Sequence, residues 1–221
     1  MIIENASVSY GSKIILEPST LKVEQHGVTA LLGRNGTGKT SLFNALYGLT
    51  HIQDLAVSFD GIIVKKPYTK PGLINYIPQK KCHPSWLVIE DLISSYGLDP
   101  DAFLKKHPVF LEDRSSEIRE LSYGTTRLLV TLVALHADVQ YTVLDEPFSN
   151  VAPVHAQLLV DTIKEVSTRK GILISDHQFR TVLSVTDKLY LIVDKRVKLL
   201  NGSADLITYG YLSEGTDLID F

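Results

Sequence analysis

Apolar residues fall into short runs separated by polar or glycine-containing stops, and the spacing within those runs changes along the chain. In the first third the pattern is β-like. The stretch IIENASVSY (2–10) alternates partly, and AVSFDGIIV (56–64) sets Asp60-Gly61 between two apolar runs, the mark of a tight hairpin. GVTALLG (27–33) predicts a buried strand ending in glycine. KTSLFNALYGL behind it has helical spacing, with Gly48 near its end. LINYIPQ (73–79) predicts another short strand, stopped by Pro78. From Ser85 to about Glu117 the pattern changes, within a helical block inserted between Gln79 and Leu121. LVIEDLISSYGL and DPDAFLKKHP predict short helices there, and no strand is visible. TTRLLVTLVALHA (125–137) predicts a longer helix. Strand YTVLD, helix VHAQLLVDTIKEVSTR, strand GILIS, helix FRTVLSV and strands KLYLIVD and RVKLLN then follow. Strands alternating with helices imply parallel pairing through crossover helices.

Composition narrows the class. With 221 residues, 44% hydrophobic and 21% charged, the chain suits one large globular domain, or one domain with a subdomain. A net charge of −3 argues against a general affinity for nucleic acid. No apolar run approaches the roughly 20 residues that span a bilayer. The opening MIIENASVSY lacks the basic and apolar regions of a signal peptide. Cys82 is the only cysteine, so neither a disulfide framework nor a cysteine-rich metal site is expected. These features suit a soluble cytosolic α/β protein.

Two stretches carry chemistry. GRNGTGKT, from Gly33 to Thr40, fits the phosphate-loop pattern of Gly, four residues, then Gly-Lys-Thr, between an apolar strand and an amphipathic helix. Its glycines let backbone N–H groups curl around phosphate oxygens, and the helix N-terminus adds partial positive charge. The expected nucleotide-binding residues are Gly33, Arg34, Asn35, Gly36, Thr37, Gly38, Lys39, Thr40 and Ser41. Lys39 neutralises the terminal phosphates, and Thr40 ligates Mg²⁺. The second stretch, YTVLDEP, ends a buried strand in two adjacent carboxylates, Asp145 and Glu146. Like charges there lose hydration and repel, so they need a cation. Asp145 is expected to hold Mg²⁺ through its water shell, and Glu146 to polarise the attacking water.

With LSYGTTR (121–127) placed before LDEP, and a histidine after the next strand, the chain resembles the ATP-binding cassette ATPases. Stretches on either side of that histidine look most like the lipopolysaccharide-export and branched-chain amino-acid branches. The resemblance implies an α/β fold: a phosphate-loop NTPase core with a mostly parallel sheet, an N-terminal antiparallel β subdomain and an inserted helical subdomain. It covers nearly the whole chain as a single domain, with the helical subdomain at about residues 80–135. By the same resemblance Tyr10 stacks on adenine, Gln79 touches Mg²⁺ and the nucleophilic water, and His177 contacts the γ-phosphate. Ser122 and Gly124 approach the γ-phosphate of ATP bound by a second ATPase subunit. The implied cofactors are ATP and Mg²⁺. The implied partners are a second cassette, identical or not, and a transmembrane permease at the cytoplasmic face of the inner membrane. An alternative from another class is a soluble cassette ATPase, or a regulatory nucleotide-binding subunit, that is not coupled to transport.

The sequence departs from the family at three positions. Tyr123 replaces the third signature residue, usually glycine, and Thr125 replaces the fifth, usually Gln or Glu. Ala152 stands where the family usually has an Asp that crosses the dimer interface. The Tyr123 ring is expected either to crowd the approach to phosphate or to point outward. Glu146, Lys39 and His177 are all retained, which implies an active but slow ATPase whose isolated chains dimerise weakly.

Overall fold

The computed structural model describes residues 1–10, 13–50 and 55–217. A four-stranded antiparallel sheet has the order β2-β1-β4-β5, from β1 (Ile2–Tyr10), β2 (Lys13–Lys22), β4 (Ala56–Phe59) and β5 (Ile62–Ile63). A six-stranded sheet contains β3 (Gly27–Gly33), β6 (Ile74–Ile77), β7 (Tyr141–Asp145), β8 (Gly171–Ser175), β9 (Lys188–Val193) and β10 (Arg196–Leu199). Its order is β10-β9-β3-β8-β7-β6, and every pairing in it is parallel except β9 with β10. The phosphate-loop strand β3 therefore sits centrally, beside the strand that precedes His177. The α/β reading with a mostly parallel core sheet and an N-terminal antiparallel sheet holds.

The parallel strands read as continuous apolar runs because both of their faces are covered. Successive side chains of β3 part company: Ala30 and Leu32 enter one core, while Leu31 enters the other. The first core packs under α4 (Tyr123–His136) and α5 (Pro153–Ser167). The second lies between the two sheets and α1 (Lys39–Tyr47), which supplies Leu42, Phe43 and Leu46. Two short helices, α2 (Ile89–Ser95) and α3 (Pro100–Lys106), lie between β6 and α4. Their Ile89, Leu92, Ile93, Phe103 and Leu104 join the first core. Past β8 come α6 (Phe179–Leu183) and the single turn α7 (Asp205–Thr208).

Two elements differ from the sequence pattern. Strand β2 was not predicted: Pro18 interrupts it, and its register with β1 shifts repeatedly, so its buried Leu16 and Leu21 break strict alternation. As an edge strand of its sheet, it tolerates the missing proline N–H. Helix α4 begins at Tyr123, two residues before the predicted start, because the Ser122 hydroxyl caps it by accepting from the Thr125 N–H at 3.1 Å.

The helical block carries an imidazole pair, one ring buried and the other partly so. His107, just after α3, meets His136 in the last turn of α4 at 2.9 Å between Nε2 atoms. Burial first, then the nearby Lys106 charge, pushes both down to about 4, with Glu165 opposing. One ring donates and the other accepts, an arrangement available only to neutral rings or a singly charged pair. An unfolded histidine takes up its proton near pH 6.5. The pair's contribution is therefore complete above about pH 6.5 and is lost as pH falls toward about 4. We expect the His107 and His136 ring proton resonances to stay at neutral-imidazole positions at pH 5.5. Ordinary titration of both near 6.5 would contradict this account.

Candidate active site

The loop between β3 and α1 is shaped by Gly36 and Gly38, at φ 79° and 94°. These left-handed conformations are strained for residues carrying a β-carbon. They turn the chain so that α1 begins at Lys39 with its N-terminus facing the loop. Lys39 Nζ donates to the carbonyls of Gly33 at 2.6 Å and Arg34 at 3.2 Å. Burial lowers its pKa, while Asp145 and Glu146 oppose that shift. Thr37 Oγ1 also closes onto the Arg34 carbonyl, at 2.8 Å.

A cavity of about 400 Å³ is lined by Asn35, Gly36, Gly38, Lys39, Thr40, Ser41, Gln79, Glu146 and His177. Residues far apart in sequence thus converge because β3, β6, β7 and β8 all end on one edge of the parallel sheet. Arg34 and Thr37 line a different cavity, where the Arg34 guanidinium donates to the Gly210 carbonyl at 2.8 Å. Tyr10 closes β1, but its side chain lies outside the described residues. Gly33 ends β3. Ser122 and Gly124 lie at the start of α4 and do not line the cavity.

Asp145 is almost completely buried beneath the loop, and burial raises its pKa. The Thr40 hydroxyl opposes that shift, yet Asp145 Oδ2 has no hydrogen-bond partner. Glu146 takes a left-handed backbone, φ 57°, which costs a non-glycine residue about 1–2 kcal/mol. Its N–H donates to the Ser175 carbonyl at 2.6 Å. Its Oε2 accepts from Gln79 Nε2 at 2.9 Å and Ser149 Oγ at 3.1 Å, and lies 3.7 Å from His177 Nδ1. Buried Asp176 steadies the histidine turn by accepting from the Phe148 N–H at 2.9 Å and the Gln178 N–H at 3.0 Å.

Sequence reasoning missed the cation that faces the strand ends. Arg127 is buried in α4, and its guanidinium donates to the carbonyls of Pro78 at 2.5 Å, Glu146 at 3.1 Å and Asp145. Its burial opposes the charge, while Tyr123, Asp145 and Asp176 help to hold it. The available signal was one arginine heading an otherwise apolar helical run. Tyr123 is exposed at the start of α4. Its hydroxyl turns across its own chain to the Gln79 carbonyl, at 3.3 Å. Gly124 has its own constraint: a β-carbon there would overlap the Asn150 carbonyl oxygen in the loop after Glu146.

A family model described as ABC transporter matches residues 16–149, more than half of the chain. This chain belongs to the ABC transporter family. The similar relatives of this family include an uncharacterized ABC transporter ATP-binding protein of Rhizobium meliloti, 28% identical, covering 94% of this chain and 82% of that protein. The lipopolysaccharide export ATP-binding protein LptB of Haemophilus influenzae is 29% identical, covering 86% of this chain and 85% of LptB. The probable branched-chain amino acid transport ATP-binding protein LivF of Archaeoglobus fulgidus is 28% identical over 83% of each chain. Both branches expected from the sequence are thus among the relatives. In fold, an ABC transporter ATP-binding subunit superposes with a TM-score of 0.80 at 24% identity, covering 94% of this chain and 91% of that one.

Proposed function

We propose that this chain binds ATP with Mg²⁺ and hydrolyses it, as one of two paired cassettes that drive a separate membrane permease. It is an ATP-binding ATPase of the ABC transporter family. One observation carries the reading: the phosphate loop, Gln79, Glu146 and His177 border a single cavity of about 400 Å³. In this reading the loop N–H groups and Lys39 hold the phosphates, and Glu146 takes a proton from the attacking water. Gln79 and His177 orient that water and the γ-phosphate. Ser122 and Gly124 serve the nucleotide of the paired cassette. The block at about residues 80–135 acts as an inserted subdomain within one domain.

The residues fit a hard divalent cation. The buried Asp145 Oδ2, which accepts no hydrogen bond, and the nearby Thr40 hydroxyl are hard oxygen donors of the kind such an ion takes. Thr40 and Gln79 would hold the ion, with Asp145 acting through its waters. Bound there, Mg²⁺ neutralises charge developing on the phosphates. Among the described residues no group of three or more His, Cys, Asp or Glu is placed to hold a metal ion.

Among the described residues no helix is long and apolar enough to cross a membrane. A separate permease, with this chain at the cytoplasmic face, is therefore part of the proposal. We expect the native complex, recovered from detergent-solubilised membranes, to contain a membrane-spanning partner. Chelation should abolish its ATP hydrolysis, and added Mg²⁺ should restore it. Recovery only from the soluble fraction, without such a partner, would favour the uncoupled ATPase instead.

A further inference from the structure

We infer that Tyr123 is a positioning residue that ties the first turn of α4 to the Gln79 loop of its own chain, and so keeps the Gln79 amide on Glu146. Among the described residues, no main-chain hydrogen bond reaches residues 79–83. The ladder with β7 ends at Ile77, and the Pro78 carbonyl goes to Arg127. Beyond that point two contacts hold the residue that matters. The Tyr123 hydroxyl donates to the Gln79 carbonyl, and the Gln79 side chain donates to Glu146.

Helix geometry makes these contacts a unit. Tyr123 and Arg127 are four residues apart, on one face of α4. Arg127 grips the ends of β6 and β7, and Tyr123 extends that grip one residue past Pro78. Between the ring and the loop lies a cavity of about 20 Å³, room for little more than one water. It is bordered by Gln79, Cys82, Tyr123, Arg127 and Val130 among others. With glycine at position 123 the ring and hydroxyl are both gone, and the loop loses its support on that side.

The inference rests on the role proposed above for Gln79, and its test separates the two. Full-length Tyr123→Phe and Tyr123→Gly are compared with the parent chain, without nucleotide, by the rate of tryptic cleavage after the exposed Lys80 and Lys81. One hydrogen bond is worth about 0.5–1.5 kcal/mol, so cleavage there should be about 2–10-fold faster in Tyr123→Phe and faster still in Tyr123→Gly. Hydrogen exchange at amides of β3 and the second half of α4 should be unchanged, showing that both variants remain folded. In steady state kcat should fall about 2–10-fold at constant KM for ATP, and Tyr123→Phe should add nothing in a Gln79→Ala background. Unchanged cleavage at Lys80 and Lys81 in both variants overturns the inference. So does faster cleavage with kcat unaffected, if Gln79→Ala itself lowers kcat. If Gln79→Ala has no effect on kcat, the role of Gln79 fails, while the cleavage rate still reports whether Tyr123 restrains the loop.

Discussion

Glu146→Gln should lower turnover by about 10²–10⁴-fold, the range for a positioned acid–base group, while ATP still binds. The substitution keeps the side chain's length and leaves the hydrogen bonds made by the backbone at 146 available. What it removes is the proton acceptor that Gln79, Ser149 and His177 surround. An amide cannot take a proton from water at neutral pH. It also meets the Gln79 amide with one acceptor oxygen in place of two. Phosphate release measured on protein free of contaminating ATPase is the direct check, and near-parental hydrolysis would remove Glu146 from this role. The same variant with ATP, weighed by light scattering after size exclusion, addresses Ala152. Monomers at low micromolar concentration are expected, and a stable homodimer would show that the missing interface carboxylate is tolerated.

Lys39→Ala should weaken ATP binding as well as hydrolysis. A charge-assisted contact with phosphate is worth about 1.5–3 kcal/mol, which corresponds to about 10–150-fold in affinity. Two effects combine. The ammonium that would meet the phosphates is lost, and so are its bonds to the Gly33 and Arg34 carbonyls, which brace the loop from inside. Titration with a fluorescent ATP analogue measures the outcome, and an unchanged Kd would refute the phosphate-loop assignment. Lys39→Arg keeps the charge but places a larger planar group in a tight turn. It should therefore recover only part of the loss.

Most of the architecture was legible because the parallel strands announce themselves as uninterrupted apolar runs bounded by glycine or proline. The same is true of the paired motifs: once β3 and β7 are read as strands of one parallel sheet, GRNGTGKT and Asp145-Glu146 must emerge at the same edge. Strand β2 escaped because its contribution to the core, Leu16 and Leu21, follows a bulged register rather than a period of two. Arg127 escaped for a different reason. Its partners are main-chain carbonyls, which every residue possesses, so nothing in the letters marks positions 78, 145 and 146 as its targets. Ser149 likewise reads as an ordinary loop serine until folding brings its hydroxyl to Glu146.

The contact between Gly124 and the Asn150 carbonyl bears on how degenerate signatures are interpreted across related chains. A motif glycine is commonly taken as a badge of ligand recognition, so that keeping it vouches for activity. Here the neighbouring loop forbids a β-carbon at position 124 whether or not a nucleotide is ever approached. A lineage that abandoned hydrolysis would still retain this glycine, held in place by packing alone. Ser122 carries a second constraint too, since its hydroxyl caps α4, so the diagnostic weight falls on positions such as the exposed His177 ring.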